Sequence, residues 1–239
     1  MTQAYQLGTF VKTASPHVIE VLGTTRLDFV CLDAEHAPFD RATLDLMVLA
    51  TRATHLKAFI RIAEVNPAVV LSALDIGATG ILVPHVDSAE DARKVVAMAR
   101  YRDGARGYSS SPRFAGYGSL GMKEALRIGD EAQVICQIES DAAVKDAAAI
   151  AAVPGVGGLF VGRADLALSM GLDNPRDPRV LEATRHVLAV AKKAGKRAGM
   201  FVAGNAERDE FAALGADWFI VSSDQTLLRQ GAQAIAHAN

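Results

Sequence analysis

"DFVCLDAEHAPFDRATLDLMVLATRATHLKAFIRI", residues 28–62, contains two short β-rich runs on either side of one amphipathic helical pattern. The runs at 28–33 and 57–62 are apolar nearly throughout, which is typical of parallel strands that are covered on both faces. The pattern at 40–53 starts with an aspartate, a residue type that caps helices. The stretch therefore predicts a strand, a helix and a second strand parallel to the first.

The same alternation extends along the whole chain. Six further β-rich runs lie at 5–11, 80–86, 133–139, 157–162, 196–202 and 217–223, and six further helical patterns lie at 16–25, 67–78, 88–101, 140–153, 178–195 and 206–216. Eight β/α units without a linker or a shift in composition predict one α/β domain over residues 1–239, a (β/α)8 TIM barrel. A doubly wound sheet is the alternative, but eight units are many for it, and no G-x-G-x-x-G follows any strand.

Composition narrows the possible partners. The 239 residues are 50% hydrophobic and 22% charged, with a formal charge of -2. This balance gives no electrostatic reason to expect nucleic acid or an anionic membrane as a partner. No apolar run approaches the roughly 20 residues of a membrane span, and the first residues lack the pattern of a signal peptide. Because Cys31 and Cys136 both fall within predicted strands, we expect two reduced thiols and a cytoplasmic location.

One long irregular stretch, "YRDGARGYSSSPRFAGYGSLG" at 101–121, interrupts the alternation. Loops of this length in a compact domain are usually functional or disordered. Its three tyrosines and three arginines favour packed contacts, either against a pocket or against another subunit.

Polar residues occur where several predicted strands end. In TIM barrels the active site lies at the carboxyl ends of the strands, so these side chains are expected to form a polar mouth. They are Asp33, Glu35, His36, Arg61, His85, Gln137, Glu139 and Asp165.

Glu139 and Asp165 follow neighbouring strands and form a candidate carboxylate pair. The pair could serve as a general acid and base or could bind a hard cation. With the amide of Gln137 nearby, and without a His-x-His or cysteine pair, oxygen ligation of Mg²⁺ or Mn²⁺ is favoured over zinc. A salt bridge from Glu139 to an arginine is the structural alternative.

Two further features indicate a small anionic ligand. A helix start near Ala164 could offer free N–H groups to a carboxylate or phosphate. Arg61, within a β-rich run, requires an anionic partner. The loops after the seventh and eighth strands contain little glycine, which disfavours the usual phosphate site of barrels. The residues thus predict a metal-dependent barrel enzyme that acts on a small anion, without specifying the reaction.

Several short sequence motifs resemble those of one family and occur in the same order as in that family. These are "DAEHAP" (33–38), "IR" (60–61), "LDIGATGILVP" (74–84), "GARGYS" (104–109), "QIES" (137–140) and "GRADLALSMG" (162–171). Together they resemble the class II pyruvate aldolases of the HpcH/HpaI aldolase/citrate lyase family, the group of the 4-hydroxy-2-oxoheptanedioate and 2-dehydro-3-deoxyglucarate aldolases. The family forms (β/α)8 barrels that are commonly hexameric, with active sites at subunit boundaries.

The resemblance implies a reaction and a role for each site residue. A lyase of this group reversibly cleaves 4-hydroxy-2-oxo acids to pyruvate or hydroxypyruvate and an aldehyde, through a metal-stabilised enolate. The implied metal is Mg²⁺ or Mn²⁺, with Co²⁺ possible. The implied roles are metal binding for Glu139 and Asp165, proton abstraction for His36, raised basicity of His36 through Asp75, enolate stabilisation for Arg61, and keto-acid contact for Gln137, Ala164 and Asp165.

Arg163 departs from the family, which usually has proline at this position. An arginine there could alter the carboxylate-binding turn or add a charge to the acceptor pocket.

Two other functions and one other mechanism are alternatives to this one. A CoA-ester lyase of the citrate or malyl-CoA type belongs to the same family, but those chains are generally longer. A non-catalytic small-molecule-binding barrel would not need a buried carboxylate pair. A Schiff-base aldolase needs a lysine near the carboxyl end of a strand, and Lys12 is the only lysine so placed.

Overall fold

The computed structural model describes residues 5–236 as a closed barrel of eight parallel strands in sequence order. All eight predicted strands and the predicted (β/α)8 fold are confirmed, while residues 1–4 and 237–239 of the predicted domain lie outside the described part. Strand β8 closes the barrel against β1. The strands are β1 Gln6–Val11, β2 Phe29–Asp33, β3 Lys57–Arg61, β4 Gly80–Val83, β5 Gln133–Ile138, β6 Val156–Val161, β7 Arg197–Val202 and β8 Trp218–Ser223.

Ten α-helices surround the barrel in the described residues. They are α1 Pro16–Gly23, α2 Arg41–Thr51, α3 Pro67–Asp75, α4 Ala89–Ala99, α5 Met122–Gly129, α6 Asp141–Ala152, α7 Arg163–Ser169, α8 Pro178–Lys193, α9 Asn205–Ala213 and α10 Asp224–Ala236, with a 3₁₀ segment at Arg113–Gly118. Seven were predicted over most of their lengths, and α7 begins beside the indicated helix start at Ala164. Helices α5 and α10 were not predicted.

Local sequence explains where the helices begin. Asp40 caps α2 by accepting a hydrogen bond from the Thr43 N–H, and Asn66, Ser88, Ser140 and Asp177 cap α3, α4, α6 and α8 in the same way. Such caps satisfy N–H groups that have no partner within the helix.

Two separate hydrophobic clusters form the core of the described part of the chain. A small aromatic cluster fills the barrel interior, where Trp218 stacks on Phe29 with a centroid distance of 4.4 Å and also contacts Phe59 and Phe160 edge-on. A larger aliphatic cluster lies between the strands and the helices. Cys31 belongs to the first and Cys136 to the second, so the two free thiols lie on opposite faces of the sheet.

The irregular stretch 101–121 packs against its own chain at the end of the barrel where the strands begin. The buried Arg106 guanidinium lies 4.5 Å from the Tyr101 ring centre and 4.6 Å from that of Phe114. Arg113 donates a 2.7 Å hydrogen bond to the Ile76 carbonyl, just before β4. The expected packed contacts are present, but they lie opposite the mouth that holds the polar strand ends.

Helix α10 buries little of its surface. Asp224 is its only buried residue, whereas Leu228 and Ile235 are 76% and 79% exposed. The Asp224 carboxylate accepts hydrogen bonds from the Lys12 and Thr13 N–H groups, which ties the loop after β1 to α10. Between residues 5 and 236, none of the helices combines the length and apolarity that crossing a bilayer would need.

Candidate active site

A period-two alternation turns the polar side chains at the strand ends toward the barrel interior. Successive side chains of a strand point to opposite faces, so a residue two positions beyond an interior residue shares its direction. In β1, β2, β3 and β5 an interior apolar residue is followed at this spacing by a charged or amide side chain. The pairs are Phe10 and Lys12, Cys31 and Asp33, Phe59 and Arg61, and Ile135 and Gln137.

Asp33 is fully buried between two cations. Arg61 donates to it from Nε at 2.9 Å and from Nη2 at 2.7 Å, and Lys12 Nζ lies 3.0 Å from the second oxygen, Oδ2. The N–H of His36 donates to Oδ1 at 3.2 Å. Burial alone raises the pKa of Asp33, but the hydrogen bonds and charge of Arg61, together with Lys12, hold that pKa below its ordinary value.

Glu35 joins Arg61 to two histidines. Arg61 Nη1 lies 3.1 Å from Glu35 Oε2, and His36 Nε2 lies 3.7 Å from the same oxygen. His85 Nε2 lies 3.4 Å from Oε1. Burial raises the pKa of Glu35, and the charge of Arg61 only partly offsets this. The loop that carries His36 is thereby anchored to β3.

Glu139 is buried, and its two oxygens are held from different sides. The backbone N–H of His85 donates to Oε1 at 2.7 Å, and the His85 Nδ1 atom lies 3.1 Å from the same oxygen. Gln137 Nε2 donates to Oε2. His85 has a φ of 54°, which is uncommon for a residue with a side chain and is typical of strain at functional sites.

Glycine at position 162 leaves room for this carboxylate. A Cβ at Gly162 would lie 2.8 Å from Glu139 Oε2 and 3.0 Å from Gln137 Nε2. The first contact is closer than real Cβ atoms allow, so any other residue here would displace Glu139. The turn that begins at Gly162 therefore packs directly against Glu139, which follows the neighbouring strand β5.

A cavity of about 390 Å³ opens beside this cluster. Arg61, Gln137, Ala164 and Asp165 line it, which brings four of the predicted site residues to one space. The side chains of His36 and His85 are 56% and 71% exposed at the mouth.

The opposite wall of the cavity combines aromatic and charged residues. Phe10 and Phe201 stack with centroids 6.2 Å apart, and Arg163, Arg176 and Glu207 complete the wall. None of the residues 175–207 on this wall was singled out from the sequence, because nothing local distinguishes Glu207 or Arg176 from other surface charges.

Arg163 is buried and paired. Its Nη1 lies 2.8 Å from Glu207 Oε1, its Nη2 donates to the Phe201 carbonyl at 3.1 Å, and its guanidinium lies 4.8 Å from the Phe211 ring centre. Burial raises the pKa of Glu207, but Arg163 and the Ala203 N–H bring it below its ordinary value. The charge of Arg163 is thus neutralised within the wall.

Asp75 lies away from the other predicted site residues. It ends α3, five residues before β4 begins, and Arg106 Nη2 donates to it at 2.8 Å. That position is at the end of the barrel where the strands begin, whereas His36 follows the carboxyl end of β2. A single subunit therefore does not bring Asp75 and His36 together.

The donor set fits a hard divalent cation. In residues 5–236 no three His, Cys, Asp or Glu side chains are arranged as a metal cluster. Glu139 and Asp165 offer carboxylates, and Gln137 Oε1 is a buried acceptor without a hydrogen-bond partner. Oxygen donors of this kind suit Mg²⁺ or Mn²⁺, which commonly retain water or substrate ligands.

Comparisons with known proteins identify related sequences and structures. The family model "HpcH/HpaI aldolase/citrate lyase" matches residues 6–231. A 5-keto-4-deoxy-D-glucarate aldolase of Klebsiella pneumoniae is 37% identical over 98% of this chain and 91% of its own length. The crystal structure of an HpcH/HpaI aldolase/citrate lyase family protein from Burkholderia cenocepacia J2315 superposes with a TM-score of 0.91 at 33% identity, covering 97% of this chain and 93% of that one.

An HpcH/HpaI aldolase from Desulfitobacterium hafniense DCB-2 is 28% identical, with a TM-score of 0.89 and coverage of 98% and 94%. Class II aldolases of this family generally depend on a divalent metal. The chain therefore belongs to the HpcH/HpaI aldolase/citrate lyase family and is a class II aldolase, a carbon–carbon lyase.

Proposed function

We propose that this aldolase reversibly cleaves 4-hydroxy-2-oxo acids to pyruvate or hydroxypyruvate and an aldehyde. The observation that carries the proposal is the cavity lined by Arg61, Gln137 and Asp165. On the side away from the cavity, Asp33 and Glu35 hold the Arg61 guanidinium in place. A fixed cation facing a small cavity suits a reaction in which negative charge develops on a substrate oxygen.

Glu139 and Asp165 are the proposed metal ligands, with Mg²⁺ or Mn²⁺ as the expected ion and Co²⁺ as a substitute. The buried carboxylate, the unpartnered Gln137 Oε1 and the space left by Gly162 support this assignment. A bound divalent cation supplies Lewis acidity that makes the protons beside a keto group easier to remove. Gln137, Ala164 and Asp165 are assigned to the keto acid because they line the cavity next to Arg61.

His36 is the proposed base. In the synthetic direction it takes a proton from the methyl group of pyruvate. The C–H electron pair forms the C=C bond of the enolate, and the π pair of the keto group moves to its oxygen, where Arg61 stabilises the charge. The enolate carbon then bonds to the aldehyde carbonyl carbon, and the resulting alkoxide takes up a proton. Cleavage follows the same steps in reverse. His85 is the competing base, because it also lies at the mouth and contacts Glu35.

Asp75 can support His36 only from another subunit, since the two residues lie at opposite ends of one barrel. We therefore propose that the protein is a homo-oligomer, specifically a hexamer. A cytoplasmic location is also proposed, supported by the two free, buried cysteines.

Exchange of pyruvate methyl protons with deuterated water tests the proposal, because it measures enolisation without requiring the correct aldehyde. We expect exchange with Mg²⁺, Mn²⁺ or Co²⁺, loss of exchange with a chelator, and recovery when metal is restored. Glu139→Ala and Asp165→Ala should each abolish exchange and weaken metal binding in calorimetry. Glu131→Ala is the matched control, because Glu131 is exposed and pairs with the exposed Arg127.

Two results would contradict these assignments. If the wild-type protein catalysed no exchange of pyruvate methyl protons in the presence of any of the three metals, the proposed reaction would be rejected. Unchanged metal affinity in both Glu139→Ala and Asp165→Ala would remove the proposed ligands. Incubation with both donors and a panel of aldehydes then identifies the acceptor.

A further inference from the structure

Lys12 is a charged residue at the mouth that the proposed reaction does not use. It follows β1 directly, and Phe10, two positions earlier, lies in the barrel interior, so the Lys12 side chain shares its inward direction. The side chain is 26% exposed, and its Nζ lies 3.0 Å from Asp33 Oδ2. Its backbone N–H donates to the buried Asp224 carboxylate at 2.9 Å. Both ends of the residue are therefore fixed.

Lys12 and Arg61 share one oxygen of Asp33. Arg61 Nη2 donates to Oδ2 at 2.7 Å, and this is the oxygen that Lys12 approaches. Arg61 also faces Glu35 through Nη1. The four groups carry two positive and two negative charges. Without Lys12, Arg61 alone would face two carboxylates, and their combined charge would outweigh its own.

The ion pair also argues against a nucleophilic role for Lys12. A Schiff base requires a neutral amine whose lone pair attacks the keto carbon. The Lys12 Nζ is instead engaged by the fully buried Asp33 carboxylate, 3.0 Å away. Its position thus favours an electrostatic role.

We propose that Lys12 is a positioning residue for Arg61: by sharing the Asp33 carboxylate, it leaves the positive charge of Arg61 directed toward the cavity. The inference rests on the proposed role of Arg61 in stabilising enolate charge. Removing a donor that touches a developing negative charge typically lowers kcat by about 10²–10³-fold. Because Lys12 acts through Arg61, a loss of about tenfold is expected.

The test compares Lys12→Met and Lys12→Arg with wild-type enzyme in the pyruvate exchange assay. Lys12→Met should lower the exchange rate at saturating pyruvate about tenfold, with KM for pyruvate unchanged within about twofold. Lys12→Arg keeps the charge and should restore most of the rate. Lys94→Met is the matched control, because Lys94 is an exposed helical lysine paired with Glu90, and it should exchange at the wild-type rate.

Three outcomes would overturn the inference. They are wild-type exchange in Lys12→Met, an equal loss in Lys12→Met and Lys12→Arg, and labelling of Lys12 by pyruvate with borohydride, detected by mass spectrometry. If Lys12→Met does not fold, Lys12→Gln provides the same comparison. Exchange by the wild-type enzyme separates this test from the proposed function: its absence rejects the reaction, whereas its presence with an unaffected Lys12→Met rejects only the role of Lys12.

Discussion

At the barrel mouth, the alternation of side chains along each strand brings polar residues together in one site. Asp33, Arg61 and Gln137 point inward because each lies two positions beyond an interior apolar residue. Their burial makes pairing necessary, since an unpaired buried charge is costly. The resulting contacts hold the Arg61 guanidinium and the Gln137 amide at one cavity, with the Asp33 carboxylate buried behind the guanidinium.

Replacement of His36 by alanine should slow pyruvate proton exchange by roughly 10²–10⁴-fold, the usual contribution of a positioned base. Metal binding should persist, because Glu139 and Asp165 remain. Calorimetry and the exchange assay measure these two properties separately.

Asp75→Asn should cause a smaller loss of the exchange rate than His36→Ala, since a neutral partner can still orient the His36 imidazole.

His85→Ala is the informative comparison for His36→Ala. It removes a ring that contacts Glu35 and Glu139 but keeps the backbone N–H that donates to Glu139. If His85→Ala lost exchange while His36→Ala retained the wild-type rate, the role of base would pass to His85.

At the scale of elements, one carboxylate joins three segments of the cavity wall. Glu207, in the first turn of α9, accepts a hydrogen bond from the Ala203 N–H at 2.9 Å. It also pairs with Arg163 of α7 at 2.8 Å and with Arg176 of the α7–α8 loop at 2.9 Å. The position of this wall therefore depends on contacts between elements more than on any one helix.

Glu207→Gln should lower the free energy of unfolding by about 2 kcal/mol, because it weakens charge-assisted hydrogen bonds in a largely buried setting. Urea unfolding at neutral pH measures this change. Glu210→Gln is the matched control: Glu210 also pairs with Arg176, but at the surface, where such pairs contribute about 0–1 kcal/mol. Equal losses in the two variants would show that Arg163 does not depend on Glu207.

For the whole molecule, the Asp33 cluster joins β1, β2 and β3 at the mouth. The pKa of Asp33 is lowered from its ordinary value of 3.8 in the folded state. A carboxylate of this kind stabilises the fold above its unfolded pKa, and the contribution is lost as the pH falls through the folded pKa. We therefore expect the free energy of unfolding to decrease below about pH 4.

Asp33→Asn should remove about 3–5 kcal/mol at neutral pH, because it leaves two cations beside a buried neutral amide. It should also flatten the decrease in stability below pH 4. Urea unfolding across pH 3–7 provides both values, and Asp173→Asn, at an exposed position, should behave as wild type. An unchanged pH slope in Asp33→Asn would show that this cluster does not govern acid stability.

The sequence by itself determined the eight strands, most of the helices and the set of polar strand ends, because periodicity and capping act over neighbouring residues. It did not reveal α10, whose side chains are mostly exposed and form no buried apolar stripe. Only the tertiary structure decided the pairing of Arg163 with Glu207, the position of Asp75 beside Arg106, and the sharing of Asp33 by Lys12 and Arg61. Each of these contacts joins residues at least 21 positions apart in the sequence. The order and register of all eight strands in the closed barrel decide which of these charged residues meet.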